Sequence, residues 1–142
     1  MSKVAVIYWS GTGNTEKMAN AVLEGLKDAG AEAELFAVDA ISAADAAAYD
    51  RLALGCPSMG DEVLEEDSFE PFYTELENSI GGKPIALFGS YGWGDGEWMR
   101  SWNERCKGKG AELISDGFIA NEEPDDDALA ECKALGKALA EA

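Results

Sequence analysis

Lys3-Val4-Ala5-Val6-Ile7-Tyr8, running directly into Trp9-Ser10-Gly11-Thr12-Gly13-Asn14-Thr15, is the stretch on which the fold turns. The first six residues are a short, nearly continuous apolar run, the pattern of a buried strand. Behind them two glycines let the backbone curl tightly, and Ser, Thr and Asn add side-chain donors. From Asn14 to Ala29 the apolar residues Met18, Val22, Leu23 and Leu26 share one helical face, and Gly30 stands where a helix stop belongs. A helix that starts at this loop presents free N–H groups and the positive end of its dipole to whatever the loop holds. The arrangement is a phosphate cradle; an ordinary glycine turn with a helix cap is the plainer reading. The loop lacks the Gly-Lys-Ser/Thr ending of triphosphate-binding loops and the spacing of the dinucleotide fingerprint. A lone terminal phosphate fits it better than a pyrophosphate.

The same alternation continues outward along the chain. Glu32 to Val38 is predicted as a second strand, with alternation suited to a sheet edge, and Ser42 to Tyr49 as a short helix. Arg51 to Gly55 is a third strand, Pro84 to Ser90 a fourth, and Ala111 to Ala120 carries a fifth. Phe69, Phe72, Tyr73, Leu76 and Ile80 mark one intervening helix face. Glu97 to Lys107 is helical with Trp98, Met99, Trp102 and Cys106 inward, and Leu129, Cys132, Leu135 and Leu139 line the last helix. Strands alternating with helices in this way predict an α/β fold, a parallel sheet with helices on both faces. The chain of 142 residues reads as a single domain, residues 1–142. The acidic run Glu122, Glu123, Asp125, Asp126, Asp127 reads as a solvated loop leading into the last helix.

In open sheets of this kind ligands sit beyond the carboxyl ends of the strands. Two more unusual loops fall there. In Cys56-Pro57-Ser58-Met59-Gly60-Asp61-Glu62, Gly60 permits backbone conformations closed to other residues, and Met59 is a soft apolar group beside it. A surface turn is the plainer reading of this loop. In Ser90-Tyr91-Gly92-Trp93-Gly94-Asp95-Gly96, a tryptophan between glycines has little local scaffold to pack on. It is placed either to stack on a flat ring or to fold back on the core. Together the loops supply phosphate donors, a soft apolar wall and an aromatic wall, which suits a flat redox ring with a phosphate tail.

Composition narrows the function classes. Acidic residues number 28 against 11 Lys and Arg, a net charge of −17. Such a field repels nucleic acid and anionic membrane surfaces and attracts basic patches on other proteins; keeping the protein soluble is the blander account. The chain has no histidine and only three, widely spaced cysteines, which excludes a His-based triad and argues against a disulfide framework or metal site. The start, Met1-Ser2-Lys3-Val4, is too short an approach to the first strand for a signal peptide. No run reaches membrane-spanning length, so the cytoplasm is the expectation.

At these residues the sequence resembles flavodoxin, specifically the short-chain type of anaerobic bacteria. The segments that carry the resemblance are Tyr8 to Glu16, Leu54 to Pro57, Met59 to Glu65 and Leu87 to Gly96. It implies a doubly wound five-stranded parallel sheet in the order 2-1-3-4-5 and one non-covalently bound FMN. The implied cofactor-binding residues are Trp9, Ser10, Gly11, Thr12, Gly13, Asn14 and Thr15 around the phosphate, with Ser58, Met59, Gly60, Asp61 and Glu62, and with Ser90, Tyr91, Gly92, Trp93, Gly94 and Asp95. By the same resemblance Met59 and Trp93 flank the ring, the Gly60 carbonyl meets ring N5 when protonated, Glu62 accepts from ring N3–H, and N–H groups near Gly92 and Trp93 serve the pyrimidine edge. No loop is inserted in the fifth strand, which argues against the long-chain subclass.

The function so implied is that of a low-potential one-electron carrier, shuttling FMN between semiquinone and hydroquinone and passing electrons to redox partner proteins with basic docking patches. A monomer with no substrate chemistry of its own is expected. The alternative on the same fold is an FMN-dependent reductase of small molecules such as quinones, which needs a substrate pocket that no insertion here walls off. A phosphorylation-switched module needs an acidic pair after the first strand and an aspartate after the third; the chain has Tyr8-Trp9-Ser10 and Gly55-Cys56 there.

Overall fold

The computed structural model describes residues 3–142; Met1 and Ser2, ahead of the first predicted strand, lie outside the described residues. The elements are β1 (Lys3–Tyr8), α1 (Asn14–Asp28), β2 (Glu32–Ala37), α2 (Ala43–Ala47), β3 (Arg51–Gly55), α3 (Phe69–Leu76), β4 (Pro84–Tyr91), α4 (Glu97–Gly108), β5 (Glu112–Leu113), β6 (Phe118–Asn121) and α5 (Asp126–Glu141). The sheet runs β2-β1-β3-β4-β5, with β6 also on β4, and every ladder is parallel.

The strands separate two apolar layers because successive side chains point to opposite faces. Val4 and Val6 of β1 pack with Ala53, Ala86 and Phe88 under Met18, Val22 and Leu26 of α1 and Cys132 and Leu139 of α5. Ala5 and Ile7 face the other way, with Leu52, Leu54, Ile85 and Leu87, onto Phe69, Tyr73 and Leu76 of α3 and Trp98, Met99 and Trp102 of α4. The inward faces read from sequence for α1, α3 and α4 are the observed ones, save that Leu23 is half-buried. Helices α1 and α5 approach through glycine. A Cβ on Gly136 would sit 2.2 Å from the Val22 carbonyl oxygen, and one on Gly25 would sit 2.0 Å from that of Lys133.

The fifth strand differs from expectation: Ala111 to Ala120 is two ladders, not one. Ile85 pairs with Leu113 and Phe88 with Phe118, so Ala86 and Leu87 face the four residues Ile114 to Gly117, an excess of two. The detour has a cause on α4. Asn103 Oδ1 accepts from the Gly117 N–H at 2.9 Å, and a Cβ on Gly117 would lie 2.2 Å from Met99 Sδ. The chain leaves the ladder to meet the helix and then rejoins it. β2 ends one residue early, as Val38 turns into a 3₁₀ segment, Val38–Ala40.

Candidate functional site

Ladder pairing continues past the strand ends and fixes the three loops against one another. Trp9 N–H donates to the Gly55 carbonyl at 3.0 Å, Cys56 N–H to Phe88 at 3.1 Å and Ser58 N–H to Ser90 at 3.0 Å. The loops after β1, β3 and β4 therefore lie together at the carboxyl end of the sheet.

In the first loop Ser10 Oγ accepts from the N–H groups of Gly13 at 3.1 Å and Glu16 at 3.3 Å. Gly13, at φ 94°, precedes α1 without contributing a side-chain cap, a conformation that favours glycine. First-turn amides have no intrahelical acceptor. Ser10 takes Glu16's, Thr12 Oγ1 lies 3.5 Å from that of Asn14, and the Thr15 N–H has no acceptor among the described residues. The Trp9 indole lies over Gly11, where an added Cβ would be 3.0 Å from the ring. Beneath the loop the buried Thr15 and Ser90 hydroxyls pair at 3.0 Å. At the loop's flank Tyr8 donates to Glu16 Oε2 at 3.1 Å; burial and this carboxylate push the phenol pKa up.

The second loop closes on itself. Met59 N–H donates to Val63 O at 2.9 Å and Val63 N–H to Met59 O at 3.0 Å. Inside this turn Gly60 has φ 54° and Glu62 φ 58°, the latter a left-handed conformation uncommon for a side-chain-bearing residue. Met59 is 38% exposed and Trp93, on the third loop, 63%. Glu62 reaches across to that loop: its Oε1 accepts from the N–H groups of Asp95 at 3.2 Å, Gly96 at 3.3 Å and Glu97 at 3.3 Å. Arg100 is held by Asp95 Oδ1 at 2.9 Å and Glu97 Oε2 at 2.7 Å.

A cavity of about 290 Å³ opens between the loops. Of the residues singled out from sequence it is lined by Trp9, Ser10, Gly11, Thr12, Asn14, Thr15, Ser58, Met59, Ser90, Tyr91 and Gly92. Gly13, Gly60, Asp61, Glu62, Trp93, Gly94 and Asp95 stand outside its lining. Two lining residues are new, Pro57 and Glu122. Glu122 has φ 56°, and its N–H donates to the Tyr91 carbonyl at 2.7 Å. The sequence pattern places it in a solvated loop. The available signal was its place directly after the fifth strand, at the same sheet end as the other loops.

The cavity brings the amides and hydroxyls of the first loop together with Met59, Tyr91 and the Trp9 indole, and no lysine or arginine lines it. That chemistry fits a phosphate held by amides, as FMN carries, with an apolar ring beside it. The three cysteines are buried and free. Burial pushes the Cys56 thiol strongly upward, Cys106 to about 11 and Cys132 to about 12. Among the described residues no cluster of His, Cys, Asp and Glu could hold a metal, and no helix is long and apolar enough to cross a membrane.

A family model described as flavodoxin matches residues 6–136. The chain belongs to the flavodoxin family. It is 48% identical over 139 residues to the flavodoxin of Megasphaera elsdenii, covering 98% of this chain and 99% of the relative. It is 47% identical over 135 residues to that of Clostridium beijerinckii, covering 95% and 97%. The solution structure of two-electron reduced Megasphaera elsdenii flavodoxin superposes with a TM-score of 0.89, covering 98% and 99% of the two chains at 48% identity. An archaeal flavodoxin gives 0.89 at 29% identity, covering 98% and 96%. The likeness to flavodoxins from anaerobic bacteria read from the three loops is borne out, and so is the strand order. As a flavodoxin the chain is an FMN-binding electron carrier that passes electrons to redox partner proteins and not an enzyme; the reading as a quinone reductase is not favoured.

Proposed function

We propose that FMN lies in the cavity with its phosphate in the loop Ser10 to Thr15 and its ring between Met59 and Trp93, and that the chain is a low-potential, cytoplasmic, monomeric carrier serving partners with basic docking patches. The observation that carries this reading is the cavity whose donors are amides and hydroxyls. The bound FMN supplies the redox chemistry, taking up and giving out single electrons.

The chain's own residues supply the rest. Thr15 N–H and the hydroxyls of Ser10 and Thr12 hold the phosphate, while the α1 dipole favours its charge. Met59 and Trp93 keep water from the ring faces, Trp93 by closing from its exposed position. Gly60 lets its peptide turn toward ring N5. The unpaired Glu62 oxygen would be free to accept from ring N3–H, and Tyr91 and Gly92 would border the ring's polar edge. Charge sets the potential. A carboxylate about 10 Å from the ring at an effective dielectric near 20 costs roughly 1.7 kcal/mol for an added negative charge, about 70 mV for one electron. Arg100, the cation on the third loop's flank, is already paired with Asp95 and Glu97 and offsets little of this.

The test is a redox titration of the purified chain under nitrogen, followed by its visible spectrum. The reading predicts a yellow protein that passes through a blue stage on one-electron reduction. A colourless protein that takes up no added FMN would overturn it. Conversion in a single two-electron step would remove the one-electron mechanism while leaving the binding site standing.

A further inference from the structure

The three amides at the start of α4 have an unusual acceptor. Gly96, which precedes the helix at φ 94°, has no side chain to cap them. The adjacent carboxylates, Asp95 and Glu97, are turned to Arg100 instead. The acceptor is Glu62, from a different loop 33 to 35 residues away, and a single oxygen, Oε1, serves all three. Its second oxygen has no hydrogen-bond partner within the described residues. Confinement does not put the carboxylate there, because Glu62 borders a further cavity of about 110 Å³; the charge-assisted amide bonds do. Gly94 fits the same account. A Cβ at that position would lie 2.3 Å from Glu62 Oε1.

Glu62 is also strained at its own backbone, with φ 58°, inside the turn closed by the Met59–Val63 pair. A strained residue persists where its surroundings over-determine it.

We infer that Glu62 is a clasp: through Oε1 it ties the turn carrying Met59 to the loop carrying Trp93, so that the two walls of the site move as one unit. Through Oε1 Glu62 positions the loops, a role separate from the contact with the ring proposed above for its second oxygen. The inference deepens the FMN reading and rests on it only for what lies between the walls; the coupling of the walls belongs to the chain itself.

Backbone amide exchange of the full chain, loaded with FMN and again after the flavin is stripped, tests it. In Glu62→Ala the amides of Asp95, Gly96 and Glu97 should exchange about tenfold faster or more, as expected for the loss of bonds to a charged acceptor. The mutually bonded amides of Met59 and Val63 should accelerate with them. Glu62→Gln, which retains a carbonyl acceptor, should recover much of the protection. Gly94→Ala, attacking the contact from the other loop, should reproduce the Ala pattern should Glu62→Ala fail to fold. Unchanged exchange at 95–97 would overturn the clasp. Faster exchange there with Met59 and Val63 unaffected would reduce Glu62 to a helix cap. A chain that binds no FMN yet shows the coupled exchange would sink the cofactor reading and leave the clasp intact.

Discussion

Thr15 Oγ1 and Ser90 Oγ lie 3.0 Å apart beneath the cavity, joining the first turn of α1 to the end of β4. The same Thr15 oxygen accepts from the Ser90 N–H at 3.4 Å. Thr15→Val keeps the shape but strands a buried hydroxyl and an amide, at about 1–3 kcal/mol. Chemical denaturation of the FMN-free chain should show that loss, and FMN affinity should fall with it. Ser90→Ala removes one partner and should cost less.

Gly136→Ala should destabilise the fold by about 1–3 kcal/mol through overpacking, because the new methyl would lie 2.2 Å from the Val22 carbonyl oxygen. The contact is remote from the loops. Thermal denaturation should register the change, and FMN titration of the folded fraction should give the parent affinity.

Gly60→Ala meets a different obstacle. The nearest atom to a Cβ there is Glu66 Oε1 at 3.9 Å, so space is available, and the cost is the left-handed backbone, φ 54°, at about 1–2 kcal/mol. Because the cost falls on the peptide beside the ring, one-electron potentials should shift more than the stability of the flavin-free chain does. Potentiometry and denaturation on the same variant check this.

Glu70 binds Arg105 through two bonds, at 2.8 and 2.9 Å. Burial works against its charge, but the Arg105 and Thr74 hydrogen bonds prevail and hold its pKa below the ordinary value. The folded pKa is depressed, so its stabilisation is present above the unfolded value, about 4.3, and is lost as pH falls through the folded one. Glu70→Gln should cost about 1 kcal/mol or less at pH 7, since the pair is partly solvent-screened. The difference from the parent chain should vanish in urea titrations carried into strong acid.

The thiols provide a simple check of packing. With all three buried and their pKa values raised, a thiol reagent at pH 8 should label none of them in the native chain. All three should react after unfolding.

Electron transfer to a basic acceptor protein should slow as salt rises, because attraction between exposed charges is screened over about 8–10 Å at physiological strength. Stopped-flow rates against ionic strength measure it; a flat profile would remove a steering role for the −17 charge.

How far the sequence could be read depended on where each residue's partners lie. β1 and β3 end as predicted since both are runs with core on either face, and no neighbour competes with the pattern. The fifth strand broke because Asn103 and Met99, on a helix, draw Gly117 out of the ladder, a contact no local pattern encodes. The loop between β1 and α1 was legible because its phosphate chemistry is local: glycine, hydroxyl and helix start are consecutive. Glu122 was not, since a left-handed glutamate looks from sequence like any other residue of an acidic run. The bond from Glu62 to the α4 amides was equally hidden, because Asp95 and Glu97 are the caps that sequence proximity would nominate.

The detour between Leu113 and Phe118 also bears on what a second copy would meet at the sheet's outer strands. An open parallel sheet has two outer strands whose unused amides and carbonyls invite recruitment of another chain. Here one outer strand is cut into short pieces, β5 and β6, too brief and too offset to template a continuous ribbon. The opposite one, β2, turns Glu32 and Glu34 outward, where a second copy would bring like charge to like. Interruption disfavours edge pairing at one flank and like charge disfavours it at the other.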